Sequence, residues 1–423
     1  MRQTLLYIPC PELPGIGLPM LGFGWLLIAW LALTAGLLLW VSRTKGLSEA
    51  VGGYLPLVAI GGVVIYMAQF IVVYDAYGNA LGLPIRGYGV MVLLGLIGGV
   101  GLATQEGRRM GLHPAYIWGL AVNMVLVGVI GARIVFVLQY REQFDSVWSM
   151  LMVTEGGLVV YGALIGGLAS AIVYLVRNKM PILAVADLIV PGMVLGLAFG
   201  RIGCLMNGCC WGGLCDEAWW GIQFPMGSPP YVRHLESGEL LGVSEIEHRA
   251  DGTTVVKAVD PDSEAARRGL KPGDQLSGLQ LAPLGLVNLR DPVDPAARVI
   301  SYRTNSGERL IWGLDELPAW SLSVQPTQLF SSINAFLLCF MLWALYPLRR
   351  RDGQIFALGL GCYAISRTAL EAIRNDEPEQ YLGLTFSQWI SIGMLMITVA
   401  LLVYTSWQKK GSALPALEPE RPA

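Results

Sequence analysis

Charged side chains are scarce in this chain of 423 residues. Asp, Glu, Lys and Arg together make up 14%, whereas a typical soluble domain carries about a quarter. The formal net charge of −2 indicates neither a nucleic-acid partner nor an acidic one. Hydrophobic residues instead account for 54% of the chain, and the mean hydropathy is +0.54. This composition is typical of an integral membrane protein.

Histidine is almost absent, with only His113, His234 and His248 in the whole chain. Histidine is the side chain used most often as a catalytic acid or base, and it is a common metal ligand. Its scarcity argues against a histidine-rich metal site and leaves few candidates for a histidine base. Residues 1–17 also lack the basic segment that precedes the apolar core of a cleavable signal peptide, so no removed leader is expected.

Paired C-x-x-C spacing is missing from the cysteine-rich segment. Four of the seven cysteines fall close together, at Cys204, Cys209, Cys210 and Cys215. Because their spacing is not that of a zinc site, we predict no metal. On an oxidising outer face a disulfide among them is one expectation, and a reactive thiol is another.

Apolar runs of about 20 residues, the length that a helix needs to cross a bilayer, recur along the chain. They predict an all-α polytopic membrane protein with about nine transmembrane helices. The predicted spans are residues 20–41, 53–73, 88–106, 116–138, 158–176, 183–205, 327–347, 354–373 and 387–406. Residues 206–325 have the polar composition of a soluble segment, and we interpret them as a small β-rich extramembrane insert.

Basic residues orient the predicted spans through the positive-inside rule. If every candidate spans, all of the basic connections fall on one side, and the insert and most acidic residues fall on the other. The N-terminus is then outside and the C-terminus inside. The basic residues are Arg43, Lys45, Arg108, Arg109, Arg177, Lys179, Arg349, Arg350, Arg351, Lys409 and Lys410.

The insert has its own pattern. Residues 253–259 alternate like a strand, residues 261–268 are typical of a short helix with Ser263 near its start, and residues 269–274 are typical of a turn. The run VVKAVDPDSEAARRGLKPGDQL resembles the second half of a PDZ-like domain. A plain spacer and a docking module for a peptide or substrate both remain open.

Polar residues coincide with one side of the predicted topology. With the orientation above, they lie in the outer half of the membrane or at its outer surface. They are Tyr88, Arg133, Glu155, Tyr161, Arg201, Asn207, Gln325, Gln328, Arg367, Glu371 and Gln388. Ionisable groups within a bilayer are costly, so they usually face a bundle interior or a cavity.

Three of these residues are arginines in one leaflet: Arg133, Arg201 and Arg367. A guanidinium presents a rigid fork that matches phosphate oxygens, and a phosphate at this depth belongs most naturally to a phospholipid headgroup. Each arginine taken alone also fits snorkelling to the headgroups, and Arg367 with Glu371 fits a structural i,i+4 pair. Together they favour a lipid-handling site.

Seven motifs, in order along the chain, resemble the prolipoprotein diacylglyceryl transferase family. The segment with the family signature is GLAFGRIGCLMNGCCWGG at residues 196–213. The flanking motifs are IRGYG (85–89), GARIVFVLQY (131–140), EGGLVVYGALIGG (155–167), QPTQLF (325–330), SRTALEAIR (366–374) and FSQWIS (386–391). The resemblance covers residues 82–407, interrupted by the insert.

The resemblance implies an activity and a location. The enzyme would transfer the diacylglyceryl group of phosphatidylglycerol to the lipobox cysteine of a prolipoprotein, releasing glycerol phosphate, with no cofactor. Its partners would be phosphatidylglycerol, prolipoprotein signal peptides and the lipid bilayer, with no nucleic acid. It would lie in the bacterial inner membrane with its active site facing the periplasm.

The same resemblance implies a domain organisation with a seven-helix core. Two extra spans at the N-terminus and the PDZ-like insert would be additions to that core. The predicted segments are an N-terminal hairpin (1–80), the first part of the core (81–225), the periplasmic insert (226–320), the second part of the core (321–407) and a disordered cytoplasmic tail (408–423).

Residue roles follow from the matching motif positions. Arg201 would bind the phosphodiester, and Arg367 with Glu371 matches an Arg-x-x-x-Glu pair near the lipid portal. These residues and Tyr161 are the predicted catalytic residues. The predicted substrate-binding residues are Tyr88, Arg133, Asn207, Gly212, Gln325 and Gln328.

Tyr161 stands where the family has a histidine that is a proposed base, and Gln325 stands where it usually has another. An unperturbed tyrosine titrates near pH 10, so it is a poor base at neutral pH. Tyr161 could instead orient the phosphate, or a nearby arginine could lower its pKa. The alternative function is a divergent, non-catalytic lipid-binding or scaffolding protein, and a third is a membrane thiol–disulfide enzyme.

Overall fold

The structure is a computed structural model. It describes residues 4–12, 17–44, 46, 55–74, 80–144, 146, 149–150, 157, 159–215, 219–248, 254–276, 299–303, 309–313, 316–371 and 384–414. The chain divides into two compact units, one formed by residues 87–224 and 322–423 and the other by residues 2–86 and 225–321.

The N-terminal part of the second unit pairs two helices with a small sheet. Strand β1 (Thr4–Ile8), helix α1 (Trp25–Thr44), helix α2 (Leu55–Ala68) and strands β2 (Val73–Tyr74) and β3 (Ala80–Arg86) follow in order. The sheet is antiparallel with the order β1-β3-β2. Gly61 of α2 faces the Trp30 ring of α1 so closely that a Cβ would collide with it, so this glycine lets the two helices meet.

The first unit begins with four long helices. They are α3 (Gly87–Arg109), α4 (Pro114–Gln139), α5 (Val160–Arg177) and α6 (Ile182–Asn207). Helix α6 is the most buried of the candidate spans, and it packs against α3. Helix α4 packs against α5.

The insert carries short elements. They are α7 (Pro229–Glu236), β4 (Val243–His248), β5 (Thr254–Val259), α8 (Glu264–Arg267), β6 (Gln275–Leu276), β7 (Val299–Arg303) and β8 (Arg309–Gly313). The hydroxyl of Ser263 accepts a hydrogen bond from the Ala266 N–H at 3.2 Å and so caps α8. The predicted strand, short helix and turn are therefore confirmed as local structure. The resemblance to a PDZ-like domain stays a prediction.

The first unit is completed by α9 (Thr327–Leu345), α10 (Gln354–Glu371) and α11 (Phe386–Trp407). Within the described residues, seven helices are long and apolar enough to cross a membrane, so the all-α polytopic membrane fold is confirmed. The remaining two predicted spans also form helices. However, α2 has 14 residues, and the 18-residue α10 is not among the seven.

Glycines let the central helices approach each other closely. A Cβ added to Gly95 would lie 3.0 Å from the Gly196 carbonyl oxygen, and one added to Gly99 would collide with the Gly192 carbonyl. Gly131 of α4 and Gly162 of α5 meet in the same manner. Lipid supplies no hydrophobic driving force between helices, so their association depends on close packing, which small residues at such positions allow.

Asp187, fully buried on α6, joins that helix to the start of α10. Its carboxylate accepts hydrogen bonds from the N–H groups of Gly353 and Phe356, each at 2.7 Å. The first N–H groups of a helix have no partner within the helix, and the helix dipole favours a negative charge there. Asp187 therefore fixes where α10 begins.

We expect Asp187→Leu to lower the midpoint of thermal unfolding of the detergent-solubilised protein. The substitution orphans two buried N–H groups, at about 1–3 kcal/mol each. Asp187→Asn is the graded control, since its one amide oxygen keeps one acceptor. An unchanged midpoint in Asp187→Leu would show that this carboxylate does not hold α10.

The segment after α11 is also held in place. Ser412 Oγ and Ala413 N donate to the Asp352 carboxylate, each at 2.7 Å. Residues 412 and 413 therefore contact the segment before α10, and the disorder predicted for residues 408–423 stays a prediction. Residues 415–423 lie outside the described part of the chain.

Candidate active site

The predicted site residues lie at one end of the helices of the first unit. Gly87 at the start of α3 faces Met206 at the end of α6, and Gln328 at the start of α9 contacts the chain just after α6. Val159, before α5, donates to the Ala132 carbonyl near the end of α4. Arg367 near the end of α10 contacts Ser387 at the start of α11. These contacts join the ends of α3, α6 and α9, those of α4 and α5, and those of α10 and α11.

The segment after α6 forms a tight loop. Gly208 has φ 74° and ends the helix, and Cys210 has φ 60°, which is rare for a residue with a side chain. Gln328 Nε2 donates to the Cys209 carbonyl at 2.8 Å, and Thr327 Oγ1 donates to the Cys210 carbonyl at 2.7 Å. Backbone strain persists only where the surroundings enforce it, and the first turn of α9 does so here.

Gly212 lies where that loop meets residues before α9. Its N–H donates to the Gln325 carbonyl at 3.0 Å, and the Gln325 N–H donates to the Gly213 carbonyl at 3.0 Å. A Cβ on Gly212 would stand 2.7 Å from the Thr327 side chain and 2.8 Å from that of Gln325. Gly212 therefore allows the loop after α6 to pack against the residues before α9. This packing positions Gln325, and direct substrate binding by Gly212 stays a prediction.

Two buried side-chain amide oxygens lack a hydrogen-bond donor among the described residues. Gln325 Oε1 and Gln328 Oε1 have no hydrogen-bond partner among the residues that the structure describes. Gln328 is 1% exposed. Buried polar atoms are nearly always satisfied, so these two oxygens fit the binding of a ligand with hydroxyl groups.

Tyr88 and Arg201 lie beside the cysteine loop. The Tyr88 ring packs on Gly203, where a Cβ would be 3.0 Å from it. Tyr88 lies within electrostatic range of Arg201 and of the three thiols nearest the end of α6. No hydrogen bond or ion pair from any described residue engages the Arg201 guanidinium. Among the described residues, Arg201 therefore has no partner that would compete with an anion.

Arg133 has a different environment. It is buried near the end of α4, and it donates to the carbonyls of Met150, Ser149 and Gly157 at 2.8, 2.9 and 3.1 Å. Its guanidinium also lies over the Phe144 ring. These contacts organise the connection before α5, so the structure adds a structural role to the predicted substrate-binding one.

Arg367 and Glu371 form an ion pair at 2.6 Å in which the Glu371 side chain is 1% exposed. Arg367 also donates to Ser387 Oγ at 2.8 Å, and Thr385 Oγ1 donates to Glu371 at 3.4 Å. The pair therefore joins α10 to α11. The three predicted arginines share one end of the helices, but they lie in three separate environments.

Tyr161 lies in the first turn of α5 and is 40% exposed. Its catalytic role stays a prediction. Glu155 lies outside the described residues. Gln388, noted for its position, caps α11 through a reciprocal pair of hydrogen bonds with Thr385. The T-x-x-Q spacing is the sequence signal for this cap.

Sequence reasoning missed how the cysteines come together. The Sγ atoms of Cys204, Cys209 and Cys210 all lie within 4.8 Å of one another. All seven cysteines are thiols, so the expected disulfide does not form in this structure. The spacing of Cys204, Cys209 and Cys210 predicts a cluster only if α6 ends at Asn207 and the chain turns back at Gly208.

The fold defines a polytopic membrane protein, and the predicted site residues lie toward one end of its helices. A family model described as prolipoprotein diacylglyceryl transferase matches residues 75–404. The chain belongs to this family.

Two relatives named phosphatidylglycerol–prolipoprotein diacylglyceryl transferase show the extent of the likeness. The one from Rhodopirellula baltica is 32% identical over 96% of this chain and 90% of its own length. The one from Clostridium tetani is 23% identical over 75% of this chain and 92% of its own length.

Proposed function

We propose that this membrane enzyme transfers the diacylglyceryl group from phosphatidylglycerol to the lipobox cysteine thiol of prolipoproteins. The products are a thioether and glycerol phosphate. The family membership supports the reaction class, and one observation supports the site. That observation is the Arg201 guanidinium, which no described residue engages, in electrostatic range of Tyr88 at the cysteine loop.

The role of Arg201 follows from the chemistry of the leaving group. The thiolate attacks a glyceryl carbon, and the carbon–oxygen bond to the phosphate breaks with its electron pair on the phosphate oxygen. Negative charge therefore grows on the phosphate in the transition state. A preorganised guanidinium at that point stabilises the growing charge more than the ground state.

The headgroup also has hydroxyl groups to place. Phosphatidylglycerol carries a terminal glycerol with two hydroxyls, and Gln325 and Gln328 each present a buried oxygen that no described donor satisfies. We assign these two residues to the glycerol headgroup. A lipid without those hydroxyls would leave the oxygens unsatisfied, which costs about 1–3 kcal/mol for each.

We place the enzyme in the bacterial inner membrane with this end of the helices facing the periplasm. The basic residues Arg108, Arg109 and Arg177 lie in the last turns of α3 and α5, at the opposite ends from Tyr88 and Tyr161. With α1 and α2 both crossing, as the sequence predicts, the positive-inside rule gives an N-terminus outside and a C-terminus inside.

The test uses the purified full chain in vesicles with a lipobox peptide as acceptor. We expect transfer from phosphatidylglycerol and little from phosphatidylethanolamine, measured by mass spectrometry of the peptide. The protein should also restore lipoprotein maturation in cells depleted of their own transferase. Good membrane expression without either activity would contradict the proposal and favour a non-catalytic lipid-binding role.

Tyr161→Phe tests whether the Tyr161 hydroxyl acts as the base or only orients the phosphate. A neutral phenol is a poor base at neutral pH, so we expect the substitution to lower the transfer rate by less than about 10-fold, well below the range for loss of a general base. The measurement is the initial rate at saturating acceptor. A loss of about 100-fold or more would instead make the Tyr161 hydroxyl part of the proton transfer.

A further inference from the structure

Three thiols converge beside the proposed phosphate site. The Sγ atoms of Cys204, Cys209 and Cys210 lie within 4.8 Å of one another, and all three residues are partly buried. Zn–S bonds of about 2.3 Å place the sulfurs of a tetrahedral thiolate site about 3.8 Å apart. Small side-chain adjustments would bring the three thiols to that distance around one ion.

The surroundings hold this cluster in place. Cys210 keeps its left-handed backbone because Thr327 and Gln328 bind the carbonyls of Cys210 and Cys209. Asn207 makes a side-chain hydrogen bond with Cys209. Outer contacts of this kind orient the ligands of metal sites.

The reaction also lacks an evident base. The acceptor is a thiol that must lose its proton to attack, and the phenol of Tyr161 is a poor base at neutral pH. Binding to a metal ion deprotonates a thiol outright. A zinc site with three protein ligands keeps its fourth position for substrate.

We propose that Cys204, Cys209 and Cys210 bind a Zn²⁺ ion whose fourth position takes the lipobox cysteine as a thiolate. This inference rests on the proposed transferase function. The acceptor thiol releases its proton to solvent when it binds. Its sulfur lone pair then forms the bond to the glyceryl carbon, while the carbon–oxygen bond breaks and its electron pair leaves with glycerol phosphate, beside Arg201. The thioether product is a weaker ligand than a thiolate, so it dissociates.

Metal binding is measured first, without any turnover. The full chain is purified in detergent under reducing conditions, stripped with a chelator and titrated with Zn²⁺ alone, then with Co²⁺ as a spectroscopic probe. We expect one zinc per chain and the intense near-ultraviolet absorption of cobalt bound to thiolates. The proposal would be overturned if the protein bound no zinc, or if the three cysteines formed a disulfide under these reducing conditions.

Substitutions locate the ion. We expect Cys204→Ser, Cys209→Ser and Cys210→Ser each to lose zinc and the cobalt absorption. Cys215→Ser is the matched control, because Cys215 lies in the same segment but outside the cluster, and it should keep one zinc per chain. Loss of zinc in the control alone, or retention in all three cluster variants, would place the metal elsewhere.

Turnover then tests the role of the ion. We expect the stripped wild-type protein to transfer at least about 100-fold more slowly, the scale that activation by a positioned base supplies, and added Zn²⁺ to restore the rate. Equal rates with and without zinc would overturn the acceptor role and leave the transferase function standing. Zinc binding without any transfer would instead contradict the proposed function, and the acceptor role with it.

Discussion

Arg201→Ala is expected to lower the transfer rate by about 10²–10³-fold, the usual loss when one donor to a developing oxyanion is removed. Arg201 is the predicted arginine that no described residue engages, so its removal breaks few structural contacts. The fold should therefore survive the substitution. The measurement is the initial rate of lipidation of a lipobox peptide in phosphatidylglycerol vesicles, beside the midpoint of thermal unfolding.

Two companion variants sharpen that result. Arg201→Lys keeps the charge but loses the planar fork, so it should recover only part of the rate. Arg177→Ala, which removes an arginine from the last turn of α5 at the opposite end, should transfer at the wild-type rate. A full rate in Arg201→Ala would show that another group binds the phosphate.

Breaking the Arg367–Glu371 ion pair should reduce both stability and activity. The Glu371 side chain is 1% exposed, and removing one partner of a buried ion pair costs about 3–5 kcal/mol because the other charge is left without compensation. We therefore expect Arg367→Ala and Glu371→Ala each to lower the unfolding midpoint markedly. Their transfer rates should fall as well.

A double substitution separates the two effects. Replacing both partners of a buried pair by apolar residues is often neutral for stability, so Arg367→Met with Glu371→Leu should recover the unfolding midpoint. If the pair takes part in the reaction, the double variant stays inactive. Ser387→Ala removes the hydrogen bond to Arg367 and serves as the mild control. A stable and fully active double variant would make the pair purely structural.

Local features were predictable from the sequence because they depend on neighbouring residues. The Ser263 cap and the turn with Gly269 and Gly273 follow from side chains and backbone preferences within a few positions. The long apolar helices follow from hydropathy alone. The cap on α10 from Asp187 was not predictable, because 166 residues separate it from Gly353.

The candidate site shows the same division. Tyr88, Arg201, Gln325 and Gln328 were found from their motifs and from the side of the membrane on which they fall. The hydrogen-bond partners of the site arginines were not predictable. Arg133 binds loop carbonyls, and Arg367 binds a serine on a neighbouring helix. An arginine in a sequence gives its charge, whereas its hydrogen-bond partners depend on which segments pack around it.

The sequence by itself determined that this protein crosses a membrane many times, which end of its helices carries the polar residues, and which family it resembles. Hydropathy and charge act residue by residue, so composition and order are enough for these conclusions. Only the tertiary structure decided that no described residue engages the Arg201 guanidinium while Arg133 is engaged, and that three thiols meet at Cys204, Cys209 and Cys210. Those outcomes depend on the contacts of α4 with residues before α5 and on those of α9 with the loop after α6, which no local pattern encodes.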